Sequence, residues 1–317
     1  MVFRAILGII GCVRLIGLAI NPFEIDFPSK KELTDADYEE VQKKLRNKSI
    51  EALIDTLCPV KWKYSNTDLC NRCSNFLKQT MIDPSKGLYP VVHFSSLETT
   101  EDCIVLGCSY DRNYPELLVS AVEALRELGW NKGIYYRIGG FANPTQEEIR
   151  YAGVPYAMKM FLLKEAHLLG FKNLLWLDAS VWPIQNPEFC FEKIRKEGIF
   201  CEMGRPNTLL TIPQTRSILE KYCGEDLSKV DHCAGWILGF DMSRVAVQQL
   251  FEDFYEMARL GTPFISITPE EMVLSVLIHK HFGSVPRQQR LMLPDEKERS
   301  RFIQARKEGY KFMIRRH

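Results

Sequence analysis

The sequence predicts an α/β fold, with a mainly parallel central sheet carrying helices on both faces. Three observations point there. The short apolar strings "CIVLGCS", "GIYYRI" and "NLLWLDAS" alternate with longer stretches of helical periodicity. These strings are almost continuously hydrophobic, as strands buried on both faces must be. The 317 residues, 46% hydrophobic and 26% charged, have a globular composition, long enough for one large domain with an extension or for two of ordinary size. Disordered, collagenous and fibrous classes are thereby excluded. The formal charge of +1 lacks the whole-molecule basic footprint of a nucleic-acid binder, so no nucleic-acid partner is expected.

The N-terminal string "MVFRAILGIIGCVRLIGLAINPFE" is apolar from Ala5 to Ile20, with Arg14 inside it. A central charge costs about 2.5–3.5 kcal/mol on insertion, and the stretch is shorter than the roughly 20 residues of a span. No small-residue cleavage site follows. An interfacial or buried amphipathic helix and a membrane anchor both fit, so a peripheral membrane contact is expected. Residues 31–57 read as a helix, with Thr34 and Asp37 at a capping-box-like start and Leu33, Tyr38, Val41 and Leu45 at helical spacing. Cys58, Cys70 and Cys73 combine a CxxC with a third thiol upstream; zinc, a disulfide and unlinked thiols all stay open, and no fourth ligand is evident. Other cysteines, such as Cys103, Cys108 and Cys190, sit in core-like strings as small hydrophobes. "GLYPVVHF" and the polar "SSLETTED" lead to a boundary near residue 97, dividing an extension (1–97) from the main domain (98–317).

In that domain "CIVLGCS" is a strand, Pro115 to Leu128 a helix and "GIYYRI" a strand. Pro155 to Leu169 is a helix stopped by Gly170, followed by the strand "NLLWLDAS". Phe189 to Lys196 (helix), "GIFCEM" (strand), Leu209 to Tyr222 (mostly helix), "CAGWILGFD" (strand), Ser243 to Leu260 and Pro269 to His281 (helices) continue the alternation. Ligands of such sheets bind beyond the carboxyl ends of the strands. The polar tips are therefore the candidates: Ser109, Tyr110 and Asp111; Arg137; Asp178 and Ser180. From Arg287 onward, ten Lys or Arg face four Asp or Glu. That excess fits a solvated basic helix or a surface for phosphate or anionic lipid.

The stretch "PYAMKMFLLKEAHLLGFKNLLWLDASVWPI" places a helix bearing Lys159 before a strand ending in Asp178. Here the sequence resembles the GT-A nucleotide-sugar glycosyltransferases, whose corresponding segment ends in an Asp-x-Asp motif. "HCAGWILGFD" resembles that family's glycine-containing strand at the sugar pocket, and "TPEEMVLSVL" its acidic helix start. The resemblance covers about residues 100–285. It implies a GT-A-like fold and a nucleotide-sugar donor. The diphosphate is expected above Asp178 and Ser180, the base near Ser109, Tyr110 and Asp111, and the sugar near Ala234, Gly235 and Trp236, with Arg137 and Lys159 as further donor contacts. It also implies Mn²⁺ or Mg²⁺ on Asp178, Ser180 and His279, because a leaving diphosphate gains charge and oxygen-ligated cations meet it. Ser180 stands where the family has its second carboxylate, which puts the metal in question; His279, His281 or the basic tail would then supply the cationic character. Asp231, Glu270 and Glu271 are candidate acceptor-activating carboxylates, and His232 an alternative base. Each has a structural competitor: Asp111 and Asn113 as caps, Glu270 and Glu271 as a favoured charge pair at a helix N-terminus, Trp182 and Trp236 as core.

The expected activity is glycosyl transfer to a glycan, lipid or protein acceptor. Its alternative is a GT-A-like domain that binds a nucleotide sugar or a protein without turnover. "DASVW" matches only the first position of the haloacid-dehalogenase-like Asp-x-Asp-x-Thr/Val, and no GxxxxGK[ST], HExxH or GxSxG occurs. Cysteine usage fits a reducing cytoplasm or membrane surface, while the sequon at Asn47 and the apolar N-terminus fit a lumenal type II enzyme.

Overall fold

The computed structural model describes residues 91–95 and 100–315, except 110–112, 140–141, 146, 152–153, 207–210, 212, 267 and 294–298. The apolar N-terminal segment, the helix expected over 31–57, the three cysteines at 58, 70 and 73, and the candidates Tyr110 and Asp111 lie outside the described residues. Among the described residues no helix is long and apolar enough to cross a membrane.

The strands are β1 (Val91–Ser95), β2 (Asp102–Cys108), β3 (Gly133–Ile138), β4 (Asn173–Asp178), β5 (Val181–Pro183), β6 (Ile199–Gly204), β7 (His232–Asp241), β8 (Met292–Leu293) and β9 (Phe312–Ile314). The helices are α1 (Tyr114–Glu127), α2 (Met158–Leu168), α3 (Glu188–Glu197), α4 (Pro213–Cys223), α5 (Val245–Leu260), α6 (Pro269–Phe282) and α7 (Arg299–Lys307). A six-stranded sheet has the order β1-β3-β2-β4-β7-β6. β3, β2 and β4 are parallel, while β7 runs antiparallel between β4 and β6. Four strands thus share one direction, with β1 and β7 reversed. The reversal of β7 matters for function: Leu177 pairs with Ile237, so the start of β7 lies at the edge where β4 ends. β1 pairs along β3 from Val91 to Ser95. These residues, which precede the boundary expected near residue 97, thus pair into the central sheet.

The strands are apolar on both faces because both faces are covered. Alternate residues of β2 point opposite ways. Cys103 and Val105 join a core with Trp176, Leu238 and residues of α2, α5 and α6; Ile104 and Leu106 join another with Leu177, Ile237, Phe191 of α3 and Leu118 of α1. Helix α2 begins three residues later than its periodicity suggests, because Tyr156 adopts φ 59° and holds the chain out of the helix until Met158. Gly170, at φ 104°, follows its end as expected. α4 begins at Pro213, as suits a residue with no N–H to donate; residues 209, 210 and 212 of the stretch expected to be mostly helical lie outside the described residues.

The C-terminal segment departs furthest from expectation. Among its described residues the helix is Arg299–Lys307. Beyond it β9 enters a small second sheet of order β5-β9-β8, pairing Val181 with Ile314 and Pro183 with Phe312. Phe312 is fully buried and Ile314 nearly so. The basic character had concealed a short apolar strand.

Candidate active site at the carboxyl edge of the sheet

Four separate segments meet around Lys159, in the first turn of α2. Its Nζ lies 3.0 Å from Asp178 Oδ1 at the end of β4 and 2.7 Å from Glu270 Oε1 in the first turn of α6. It also donates to the Gly235 carbonyl of β7 at 2.9 Å. Lys159 and Glu270 are buried, whereas Asp178 is 32% exposed and so forms the face open to a ligand. Trp176 and Asp178 share a face of β4 by the two-residue period, and the Trp176 indole N–H donates to Asp178 Oδ1 at 2.7 Å. Both contacts fix the carboxylate in one orientation.

Glu271 faces the same strand from the next position of α6. Its Oε1 accepts the Gly235 N–H at 2.8 Å, and its Oε2 lies 3.4 Å from His232 Nε2. Ser275, one turn on, accepts the Cys233 N–H at 2.8 Å and donates to the Glu271 carbonyl. Helix α6 is therefore laced to the start of β7. Such close approach requires glycine at 235: a Cβ there would stand 2.7 Å from Glu270 Oε1, 3.0 Å from Glu271 Cγ and 3.2 Å from Lys159 Nζ.

The charges settle differently on each group. Burial alone would lower the Lys159 pKa, but the facing Asp178 and Glu270 carboxylates outweigh it and raise the value, so the ammonium stays charged. Burial pushes Glu270 up to about 7; the pull of Lys159 is opposed by repulsion from Glu271 and Asp178. Burial also acts upward on Glu271, yet the contacts from His232 and the Gly235 N–H outweigh it and hold that carboxyl below its usual range.

The expected site residues fall into three groups. Asp178, Lys159, Gly235, Glu270 and Glu271 come together, with Ala234 and Trp236 flanking Gly235 on β7; Trp236 donates to Glu202 Oε2 at 2.6 Å on the opposite side. Ser109 follows β2 at the same edge, two strands from β7. Arg137 reaches this edge on β3 but is buried and committed to Glu165 of α2, with its Nη2 2.8 Å from Oε1; it is no free cation. Asp231 precedes β7 but turns to Arg287 at 2.7 Å. His279 lies nine residues beyond Glu270, about 13 Å along α6, which removes it from the Asp178 cluster. His281 contacts Asp253 instead, at 2.7 Å.

That separation bears on the divalent cation. Asp178 Oδ1 already accepts from Trp176 and faces the Lys159 ammonium, Ser180 is neutral, and His279 is distant. Among the described residues no group of three His, Cys, Asp or Glu is arranged to hold a metal. Of the three expected ligands, Asp178 is the one that brings a charged oxygen to this cluster.

Two residues at this edge escaped the sequence reading. Tyr156 is 40% exposed, held at positive φ, with Lys159 Nζ 5.6 Å from its ring centroid. Arg315, just past β9, donates its backbone N–H to the Ser180 carbonyl at 2.7 Å and lays its guanidinium over the Trp182 ring, 4.3 Å from the centroid. Neither carries a sequence signal, since a backbone dihedral and the pairing of a three-residue strand leave no periodicity.

No protein-family model and no curated protein matches the chain. Matching solved structures include the galactosyltransferase LgtC in complex with donor and acceptor sugar analogs, 12% identical, covering 61% of this chain and 75% of that one at a TM-score of 0.35. A glycosyltransferase involved in glycosylating the major capsid of PBCV-1 is 13% identical, with 67% and 91% covered and a TM-score of 0.37. Mouse xyloside xylosyltransferase 1, apo form, is 9% identical, with 68% and 97% covered and a TM-score of 0.39.

Proposed function

We propose that the chain is a glycosyltransferase that takes a nucleotide-diphosphate-sugar donor and passes its sugar to a glycan, lipid or protein acceptor. One observation carries the reading: a single buried lysine ties the strand-end Asp178, the glycine strand at Gly235 and the acidic helix start at Glu270 into one cluster. These are the segments on which the sequence resemblance rests, and they meet where ligands of such sheets bind.

The chemistry suits a sugar. Asp178 and Glu271 are oriented acceptors for hydroxyl donors, and the Lys159 ammonium offsets the negative charge gathered around it. Tyr156 offers an exposed ring beside them for an apolar sugar face. The nucleotide would extend across β2 toward Ser109, over the parallel strands. Binding without turnover is the second reading, favoured by Ser180 standing where the resembled motif has a carboxylate.

Thermal unfolding with UDP-, GDP- and CMP-sugars tests the assignment on the wild type and Asp178→Ala. A ligand at a hundredfold over its Kd stabilises a fold by about 2.7 kcal/mol. One nucleotide class should raise the Tm of the wild type and leave the variant unmoved. No shift with any class on folded protein would refute the donor site.

A further inference from the structure

We propose that Arg315, brought beside Ser180 by the C-terminal strand, grips the donor's diphosphate and takes the place of a divalent cation. The inference rests on the nucleotide-sugar reading of this edge and names the group that meets the phosphates.

A diphosphate leaving group needs positive charge close to it, and most cations here are already committed. Lys159 is enclosed by Asp178, Glu270 and the Gly235 carbonyl. Arg137 is buried against Glu165, and Arg287 is paired with Asp231. Arg315 differs in having no carboxylate against its guanidinium among the described residues, and it is partly exposed.

Its position is fixed by two independent restraints. The backbone N–H to the Ser180 carbonyl anchors the residue to the turn that follows Asp178, and β9 holds that register through Ile314 on Val181. The Trp182 ring then supports the guanidinium by its face. A guanidinium held over an aromatic ring keeps further N–H donors in its planar fork, which matches two phosphate oxygens at once. Ser180 completes the arrangement. A carboxylate there would need a metal to shield it from the diphosphate, whereas a hydroxyl neither repels the anion nor requires the metal, and it can donate a hydrogen bond.

Calorimetric titration of UDP and GDP, and of inorganic pyrophosphate, tests this on the full chain in EDTA and again with Mn²⁺. The variants are Arg315→Ala, Arg315→Lys and Arg306→Ala, the last removing an exposed tail charge on α7. Arg315→Ala keeps the backbone bond to Ser180, so β9 should stay docked; thermal unfolding confirms folding. The expected result is nucleoside-diphosphate binding in EDTA that Mn²⁺ does not strengthen. Arg315→Ala should weaken it by at least about tenfold, the usual worth of a charge-assisted contact. Arg315→Lys should restore part, and Arg306→Ala should change nothing. Binding that requires Mn²⁺, or that survives intact in folded Arg315→Ala, overturns the role of Arg315 and leaves the nucleotide-sugar reading standing. Failure of both nucleotides to bind the folded wild type, with or without Mn²⁺, defeats that reading and this inference together.

Discussion

Gly235 determines how closely α6 can approach β7. Its missing side chain admits Glu270 Oε1, Glu271 Cγ and Lys159 Nζ to within 3.2 Å of where a Cβ would stand. Gly235→Ala should push these groups apart, costing about 1–3 kcal/mol in urea denaturation and abolishing any ligand-induced Tm shift. The sign of the pH response follows from Glu270. Its carboxyl has a higher pKa folded, about 7, than the ordinary 4.5, so the folded chain holds the proton more tightly. Its contribution to stability therefore falls as pH rises from about 4.5 to 7, by at most about 1.4 kcal/mol per unit. Glu271 acts oppositely and in a lower window: its depressed pKa supports the fold above its ordinary value and is lost as pH falls through the folded one. Unfolding midpoints measured from pH 5 to 7 should slope less in Glu270→Gln than in the wild type. Equal slopes would show that Glu270 does not titrate there.

Helix α2 carries Lys159 in its first turn and Glu165 two turns later, and both face the sheet. Glu165 accepts from Arg137 and Tyr135 of β3 and from the Asn143 N–H, joining α2 to a strand that Lys159 does not reach. Removing one partner of a buried ion pair typically costs about 3–5 kcal/mol. Glu165→Ala should lose about that much, and Glu165→Gln less, because an amide oxygen still accepts; equal and small losses would show that the pair contributes little. Elements whose residues repeat a pattern were legible in the sequence: β3 spans the whole of "GIYYRI", and α5 and α6 fall within two residues of their periodic stretches. β5, β8 and β9 were not, being two or three residues long; β5 and β9 are fixed to each other across more than a hundred positions, and β8 to β9 across 20. The place of β1 in the sheet was hidden because the polar linker after it resembles a domain boundary.

Across the whole molecule, one topological fact makes the site: β7 runs backwards between β4 and β6, so its first residues arrive beside Asp178. Asp178, Glu270 and Glu271 stood out in the sequence as an acid closing an apolar strand and an acidic pair opening a helix, while Lys159 and Gly235 were reached through the family resemblance. Arg137 and Asp231 were equally conspicuous, yet only the tertiary fold shows that Glu165 and Arg287 occupy them. His279 shared α6 with Glu270, and helix length alone parted them. Arg315 was concealed by the charged tail around it. As a transferase, the proposed function, this edge would break the bond between a sugar and a nucleoside diphosphate. The most direct measurement is nucleoside-diphosphate release from the UDP- or GDP-sugar that binds, with water as the default acceptor, in the wild type and in Asp178→Asn. Slow release by the wild type, lost in a variant that stays folded, is the result expected. Binding with no release, or release undiminished in Asp178→Asn, would contradict it.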